Sequence, residues 1–114
     1  MSETAPPIQI AQQPIDKEVS DELFRVLPES WRGIRMEARR IVQGPGSESY
    51  RIELVSTENK PGLAFPSDEL QDAIRKLFLL HKRYSTNLSL ARYILEEGPN
   101  GWRLVSEFEY DEAN

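Results

Sequence analysis

The fold is decided by residues 89–110, SLARYILEEGPNGWRLVSEFEY, in which two alternating apolar and polar runs flank the turn sequence GPNG. If the turn is a four-residue loop, strands 89–97 and 102–110 form a β-hairpin. The facing pairs are then Leu95 with Leu104, Tyr93 with Ser106 and Ala91 with Phe108 on one face, and Glu96 with Arg103, Arg92 with Glu107 and Ile94 with Val105 on the other. One face is mostly apolar and the other opposes unlike charges, which favours strand pairing in this register.

An earlier hairpin is predicted around residues 44–47, GPGS, because apolar and charged residues alternate on both sides of this turn. The first strand covers residues 32–42, and the second contains Tyr50, Ile52 and Leu54. A register with a three-residue loop opposes apolar side chains, whereas a four-residue loop sets a glutamate opposite a leucine. The predicted pairs are Ala38 with Ile52 and Met36 with Leu54.

Two helices complete the predicted fold. Helical spacing of apolar residues gives a first helix at about 15–27, with Pro14 in its first turn. A second helix spans about 68–83 and begins after Ser67 as the N-cap. The order α-β-β-α-β-β predicts an α+β fold, with a four-stranded antiparallel sheet and both helices on one face.

The length of 114 residues allows one domain, which we assign to residues 14–114. Residues 1–13 contain few large apolar side chains and two consecutive prolines, so we expect a flexible N-terminal tail. The chain has no cysteine, no signal-peptide pattern and no apolar run long enough for a membrane helix. These features favour a cytoplasmic protein without membrane contact.

The composition argues against an enzyme. Without cysteine there is no thiolate nucleophile or thiolate metal site, and one histidine excludes the usual multi-histidine zinc sites. That histidine, His81, lies on the apolar stripe of the second helix, where a hydrogen-bonded, partly buried imidazole is expected rather than a general base. Glu107 and Glu109 are expected on the face away from the helices, where solvent leaves them unperturbed. We therefore predict no catalytic residue, no metal and no cofactor.

The net charge of −5 belongs to one end of the chain. Residues 1–95 contain 13 acidic and 13 basic side chains, whereas residues 96–114 contain six acids and only Arg103 as a base. Cross-strand pairing neutralises two of the six acids, Glu96 and Glu107. The acids left without a nearby base in the sequence are Glu97, Glu109, Asp111 and Glu112. They are candidates for binding a basic protein, although charge alone favours a merely solubilising end.

The two tryptophans each begin a predicted strand. Trp102 is in phase with the apolar face of the second hairpin, so a core position is the default expectation. For Trp31 the sequence leaves core and surface open. Because tryptophan is enriched at binding hot spots, Trp102 joins the four acids as a candidate partner-binding residue if it is exposed.

A nucleic-acid-binding or regulatory module is the alternative interpretation. It rests on five arginines in the first hairpin: Arg32, Arg35, Arg39, Arg40 and Arg51. Glutamates are interspersed among them and the chain is acidic overall, which argues against binding to phosphate backbones. We therefore expect no nucleic-acid partner.

Several short motifs resemble those of the YezG-like immunity proteins, a bacterial family. They are LPESW at 27–31, Tyr50, FP at 65–66, GW at 101–102 and FEYD at 108–111. The resemblance covers roughly residues 15–112 and preserves the order of the elements.

The resemblance implies an antitoxin that binds the C-terminal domain of a polymorphic or contact-dependent toxin, often a nuclease, and blocks it. The expected partner is a cognate toxin domain with a basic surface, since nucleases present basic clefts to phosphate. Reversing the charge of Glu109, Asp111 and Glu112 together is expected to weaken that binding. The oligomeric state stays open, because an edge strand of either hairpin could pair with a second copy.

Overall fold

The computed structural model describes residues 7–111, which form two helices and one four-stranded antiparallel sheet. The elements are α1 (Ile8–Val26), β1 (Gly33–Gly44), β2 (Ser47–Ser56), α2 (Asp68–Arg83), β3 (Leu88–Gly98) and β4 (Gly101–Tyr110). The strands lie in the order β2-β1-β3-β4, so the two hairpins meet along β1 and β3. The predicted α+β fold and its element order are confirmed.

The second hairpin has the predicted register. All six facing pairs are observed, from Ala91 with Phe108 to Glu96 with Arg103. The pairing continues to Gly98 and Gly101, so Pro99 and Asn100 alone form the turn.

The first hairpin also has the predicted register, with Ala38 opposite Ile52. Its turn is tighter than the predicted three-residue loop. Pro45 and Gly46 form the turn, and an irregularity between Val42 and Gly44 absorbs the additional residue. Gly46 has a φ of +73°, a conformation that side-chain-bearing residues rarely adopt, so glycine is favoured here.

Helix α1 begins at Ile8, so the predicted start near residue 15 was wrong, and the residues 8–13 assigned to a flexible tail are helical. Pro14 lies inside the helix rather than in its first turn. The first turn has no side-chain cap and no acidic residue, so local sequence supports it poorly. Tertiary contacts hold it instead, because the Gln12 side chain is buried and hydrogen-bonded to His81. Residues 1–6 lie outside the described residues.

Helix α2 has the predicted bounds and the predicted N-cap. The Ser67 hydroxyl accepts a hydrogen bond from the Leu70 backbone N–H at 3.1 Å and donates one to the Glu22 carboxylate at 3.0 Å. The start of α2 is thereby joined to α1. Within residues 7–111, no helix is sufficiently long and apolar to span a membrane.

The core lies between the helices and one face of the sheet. Its buried residues are Val19 and Leu23 of α1, Leu70, Ala73, Ile74, Leu77 and Phe78 of α2, Trp31, and Ile34, Met36, Ala38, Leu88, Ala91, Tyr93 and Leu95 of the two central strands. The edge strands contribute only half-buried side chains, such as Ile52 and Leu104. The opposite face of the sheet carries most of the charged side chains of the strands.

Candidate functional site

His81 lies in a hydrogen-bonded network in the core, as the sequence predicted. Gln12 fixes its tautomer: the amide nitrogen of Gln12 donates to the Asp16 carboxylate at 3.1 Å, so the amide oxygen accepts from His81 Nε2 at 2.8 Å. His81 Nδ1 lies 2.8 Å from the Thr86 hydroxyl oxygen, and the same hydroxyl lies 3.2 Å from the His81 carbonyl. The Tyr93 hydroxyl completes the network by donating to Asp16 at 2.6 Å.

The network fits a structural role. Burial lowers the pKa of His81 below its ordinary value, and the Asp16 carboxylate opposes this by raising it. Burial and the hydrogen bond to Asp16 raise the pKa of Tyr93 above its ordinary value. The crevice lined by His81, Thr86 and Leu88 has no volume that a water molecule could enter. The network therefore joins α1, α2 and β3 and offers no room for a substrate.

The structure places two of the predicted binding residues together at the tip of the second hairpin. Glu97 and Trp102 face each other directly across β3 and β4. Glu97 is exposed, and its side chain makes no ion pair within residues 7–111. Its backbone is fixed, because its N–H donates to the Arg32 carbonyl at 2.9 Å. A free carboxylate thus lies on a rigid strand end beside an indole.

Trp102 is not a core residue, so the default expectation from its phase was wrong. It is in phase with the apolar face, but 39% of it is exposed, because it lies at the start of an edge strand. Its ring contacts Phe24 of α1 edge to face, at 5.0 Å between centroids. Phe24 is itself 42% exposed. Trp31, which the sequence left open, is buried and donates from Nε1 to the Pro61 carbonyl at 3.0 Å.

We refer to Phe24, Glu97 and Trp102 as the tip patch. Sequence reasoning did not select Phe24 as a site residue, because its neighbours Leu23 and Val26 belong to the apolar stripe of α1. The signal that could have identified it is its position on the flank of that stripe.

Glu109 and Asp111 do not lack basic partners, so this prediction was wrong. Glu109 lies 3.8 Å from Arg92, and Asp111 forms an ion pair with Arg40 at 2.9 Å. Arg40 and Asp111 are 71 residues apart in the sequence. A hydrogen bond from the Asp111 backbone N–H to the Asn87 carbonyl holds Asp111 in place beside Arg40. Glu112 lies outside the described residues.

The predicted acidic cluster is also divided in space. Glu97 lies at the turn of the second hairpin, whereas Glu109 lies near the other end of β4. Glu109 is seven positions after Trp102 on β4, which corresponds to roughly 23 Å of strand. One copy of the chain therefore does not bring all the predicted binding residues into one surface.

The arginines of the first hairpin are divided between the two faces of the sheet: Arg35, Arg39 and Arg51 share the open face, with Arg39 opposite Arg51, whereas Arg40 is on the helix side. Arg40 is occupied by Asp111, and Arg51 lies 3.4 Å from Glu53. Arg35 is 3.9 Å from Glu37, on the open face of the sheet. Arg39 is exposed and makes no ion pair within the described part of the chain.

A groove between the helices, with a volume of about 270 Å³, is acidic. It is lined by Glu18, Asp21, Glu22, Glu69 and Asp72, with Arg25 and Lys76. The charge count along the sequence missed this groove because its acids come from two distant helices. Four of the five acids already pair with a base of the same chain, as Glu18 does with Lys76 at 3.0 Å. Residues 7–111 contain no group of three or more His, Asp or Glu side chains arranged to bind a metal.

Comparison with models of known protein families gives no match for this chain, and a search of curated proteins gives none either.

Proposed function

We propose that this chain is an immunity protein that binds a cognate toxin domain stoichiometrically and blocks it, with the tip patch as its main contact. The observation that carries the proposal is Glu97, the one predicted binding acid in residues 7–111 that lacks an ion pair, beside an exposed tryptophan. The resemblance of several motifs to those of the YezG-like immunity proteins supports the antitoxin assignment.

The chemistry of the tip patch suits a basic protein partner. A lysine or arginine of the partner could form an ion pair with Glu97 and a cation–π contact with Trp102 at the same time. Tryptophan is among the residues that most often dominate binding energy, because it buries a large rigid surface. The toxin's basic cleft, if it is a nuclease, would therefore be covered by this end of the sheet.

The tip patch is also preorganised, which lowers the entropic cost of binding. Gly101 has a φ of +113° and completes a two-residue turn, so the tip of the second hairpin is short. The contact with Phe24 restrains the Trp102 ring before any partner arrives. Binding then requires little ordering of this surface.

The first step of the test is to look for a toxin domain encoded next to this gene. Co-expression of the chain is expected to rescue cells from that domain, and calorimetry is expected to give a fixed stoichiometry. Glu97→Lys should weaken binding at least tenfold, because it opposes a positive charge to a basic surface. Glu58→Lys is the matched control, since Glu58 is also exposed, lacks an ion pair in residues 7–111 and lies after β2.

Two results would contradict the proposal. Equal binding by Glu97→Lys and Glu58→Lys would exclude the tip patch as the contact. Measurable, salt-sensitive affinity for generic DNA or RNA, without rescue of the cells, would favour the nucleic-acid module instead.

A further inference from the structure

Strand β4 forms an open edge of the sheet. Within the described residues it pairs only with β3, so its outer side presents unpaired backbone N–H and C=O groups. Every residue of β4 is exposed or half-exposed, and Trp102, Val105 and Tyr110 are among the exposed large apolar side chains. The strand contains no proline, the residue that most directly blocks a further strand. Such an edge is a template for strand addition.

The sequence of β4 is complementary to itself in one antiparallel register. When Val105 faces Val105 of a second copy, Arg103 faces Glu107 of that copy and Trp102 faces its Phe108. The twofold axis repeats both pairs. Opposed residues of antiparallel strands point to the same face, so the ion pairs lie on the open face and the aromatic pairs on the helix side.

Neighbouring registers are less favourable. A shift must be of two residues, because a one-residue shift would oppose side chains of different faces. The shift centred on Ser106 sets Arg103 against Glu109 and Trp102 against Tyr110, but it also places Val105 against Glu107 of the second copy, twice about the axis. The shift centred on Leu104 places Arg103 against Val105. The register centred on Val105 differs from both because it opposes no apolar side chain to a charge.

We propose that a second copy of this chain docks on β4 in the register centred on Val105, joining two four-stranded sheets into one of eight strands. The other edge strand, β2, also alternates in charge through Arg51 and Glu53. Val55 is its only exposed large apolar side chain, however, whereas β4 has Trp102, Val105 and Tyr110. Of the two edge strands, β4 therefore has more exposed apolar surface.

Pairing of this kind brings predicted binding residues of two copies to the same end of the edge, on opposite faces of the sheet. Because the strands are antiparallel, Gly101 of one copy faces Glu109 of the second. Glu109 of the second copy thereby comes to the end of the edge that carries the tip patch of the first copy. Within a single copy, most of β4 separates Glu109 from the tip patch. Each end of the dimer edge then has the tip patch of one copy on the helix side and Glu109 of the other copy on the open face. This consequence rests on the proposed function, whereas the pairing does not.

The first test is sedimentation velocity of the purified chain over a wide concentration range, without any toxin. The wild type is expected to show a reversible monomer–dimer equilibrium. Val105→Lys should weaken dimerisation at least tenfold, because it sets two ammonium groups face to face. Val55→Lys is a closely matched control, since Val55 is 40% exposed and Val105 is 39% exposed, on the same face of opposite edge strands. Circular dichroism melting of both variants verifies that they fold.

The second test uses charge reversal. Arg103→Glu and Glu107→Arg each create like-charged pairs across the twofold axis, so each variant alone should dimerise weakly. Mixed together, the two variants restore both unlike pairs, and a heterodimer of near wild-type affinity is expected. A wild type that stays monomeric at every concentration overturns the proposal. So does a dimer that Val105→Lys weakens no more than Val55→Lys, or a mixture that associates no better than the single variants.

Discussion

The two hairpins have similar lengths and share one sheet, but they distribute their charges in opposite ways. The second hairpin opposes unlike charges across its strands, Glu96 with Arg103 and Arg92 with Glu107. The first hairpin opposes like charges, Glu37 with Glu53 and Arg39 with Arg51. Directly opposed like charges destabilise strand pairing, so charge does not determine the register of the first hairpin.

Other charged residues offset the repulsion between these like charges in the first hairpin. Arg51 lies 3.4 Å from Glu53 on its own strand, and Arg92 of β3 lies 3.4 Å from Glu37. Its register therefore depends on the apolar face and on the neighbouring hairpin. The second hairpin has both an apolar face and matched charges of its own, and this is the hairpin that carries the tip patch.

The largest expected effect comes from the apolar face of the central strands. Leu95→Ala on β3 should lower the free energy of unfolding by about 2–5 kcal/mol, because a fully packed leucine leaves a cavity. Leu54→Ala on edge strand β2 should cost clearly less, since Leu54 is only half-buried. Urea denaturation of both variants measures the difference. Equal losses would show that the edge strand contributes as much to the core as the central one.

Arg92 is the charge that joins the hairpins, since it lies near carboxylates of both β1 and β4. Arg92→Met should destabilise the fold by roughly 1 kcal/mol, because it removes the base nearest to half-buried Glu37 and the cross-strand base of the exposed Glu107 and Glu109. Arg35→Met, with one contact at 3.9 Å, should change stability by less than about 0.5 kcal/mol. The comparison is made by urea denaturation at low and high salt. A loss at Arg92 no larger than that at Arg35 would contradict the joining role.

The pH dependence of stability distinguishes the helix layer from both hairpins. The pKa of His81 is lower in the folded protein than in the unfolded chain. As the pH falls, His81 therefore binds a proton first in the unfolded chain. Its stabilising contribution is complete above the unfolded pKa of about 6.5 and decreases as the pH falls below that value. His81→Gln should flatten the stability profile just below this pH, measured by urea denaturation at successive pH values. An unchanged slope would show that His81 does not cause the loss of stability at lower pH.

The smallest expected effect is a gain in stability. Exchanging Arg51→Glu together with Glu53→Arg gives the first hairpin unlike facing pairs and leaves the net charge unchanged. We expect a stabilisation of about 0.5 kcal/mol, as for other cross-strand charge pairs. The same exchange in the second hairpin, Glu96→Arg with Arg103→Glu, preserves an unlike pair and serves as the control. Thermal melting should show a gain for the first exchange and little change for the second.

These features differ in how far the sequence could predict them. Local patterns decided both registers and the bounds of α2, because facing pairs, turn residues and the Ser67 cap lie close together in the chain. The start of α1 was missed because it depends on the contact between Gln12 and His81, 69 residues apart. The ion pair between Arg40 and Asp111 was missed for the same reason. For the site, the sequence selected Glu97 and Trp102 but not their neighbour Phe24, which another element supplies.

The most direct test of the tip patch is an NMR titration that follows the two indole N–H signals while the toxin domain is added. Trp31 is buried and hydrogen-bonded to Pro61, whereas Trp102 is exposed at the tip. The Trp102 signal is expected to shift or broaden at stoichiometric toxin while the Trp31 signal stays in place. A bound complex in which the Trp102 signal is unchanged would contradict this expectation.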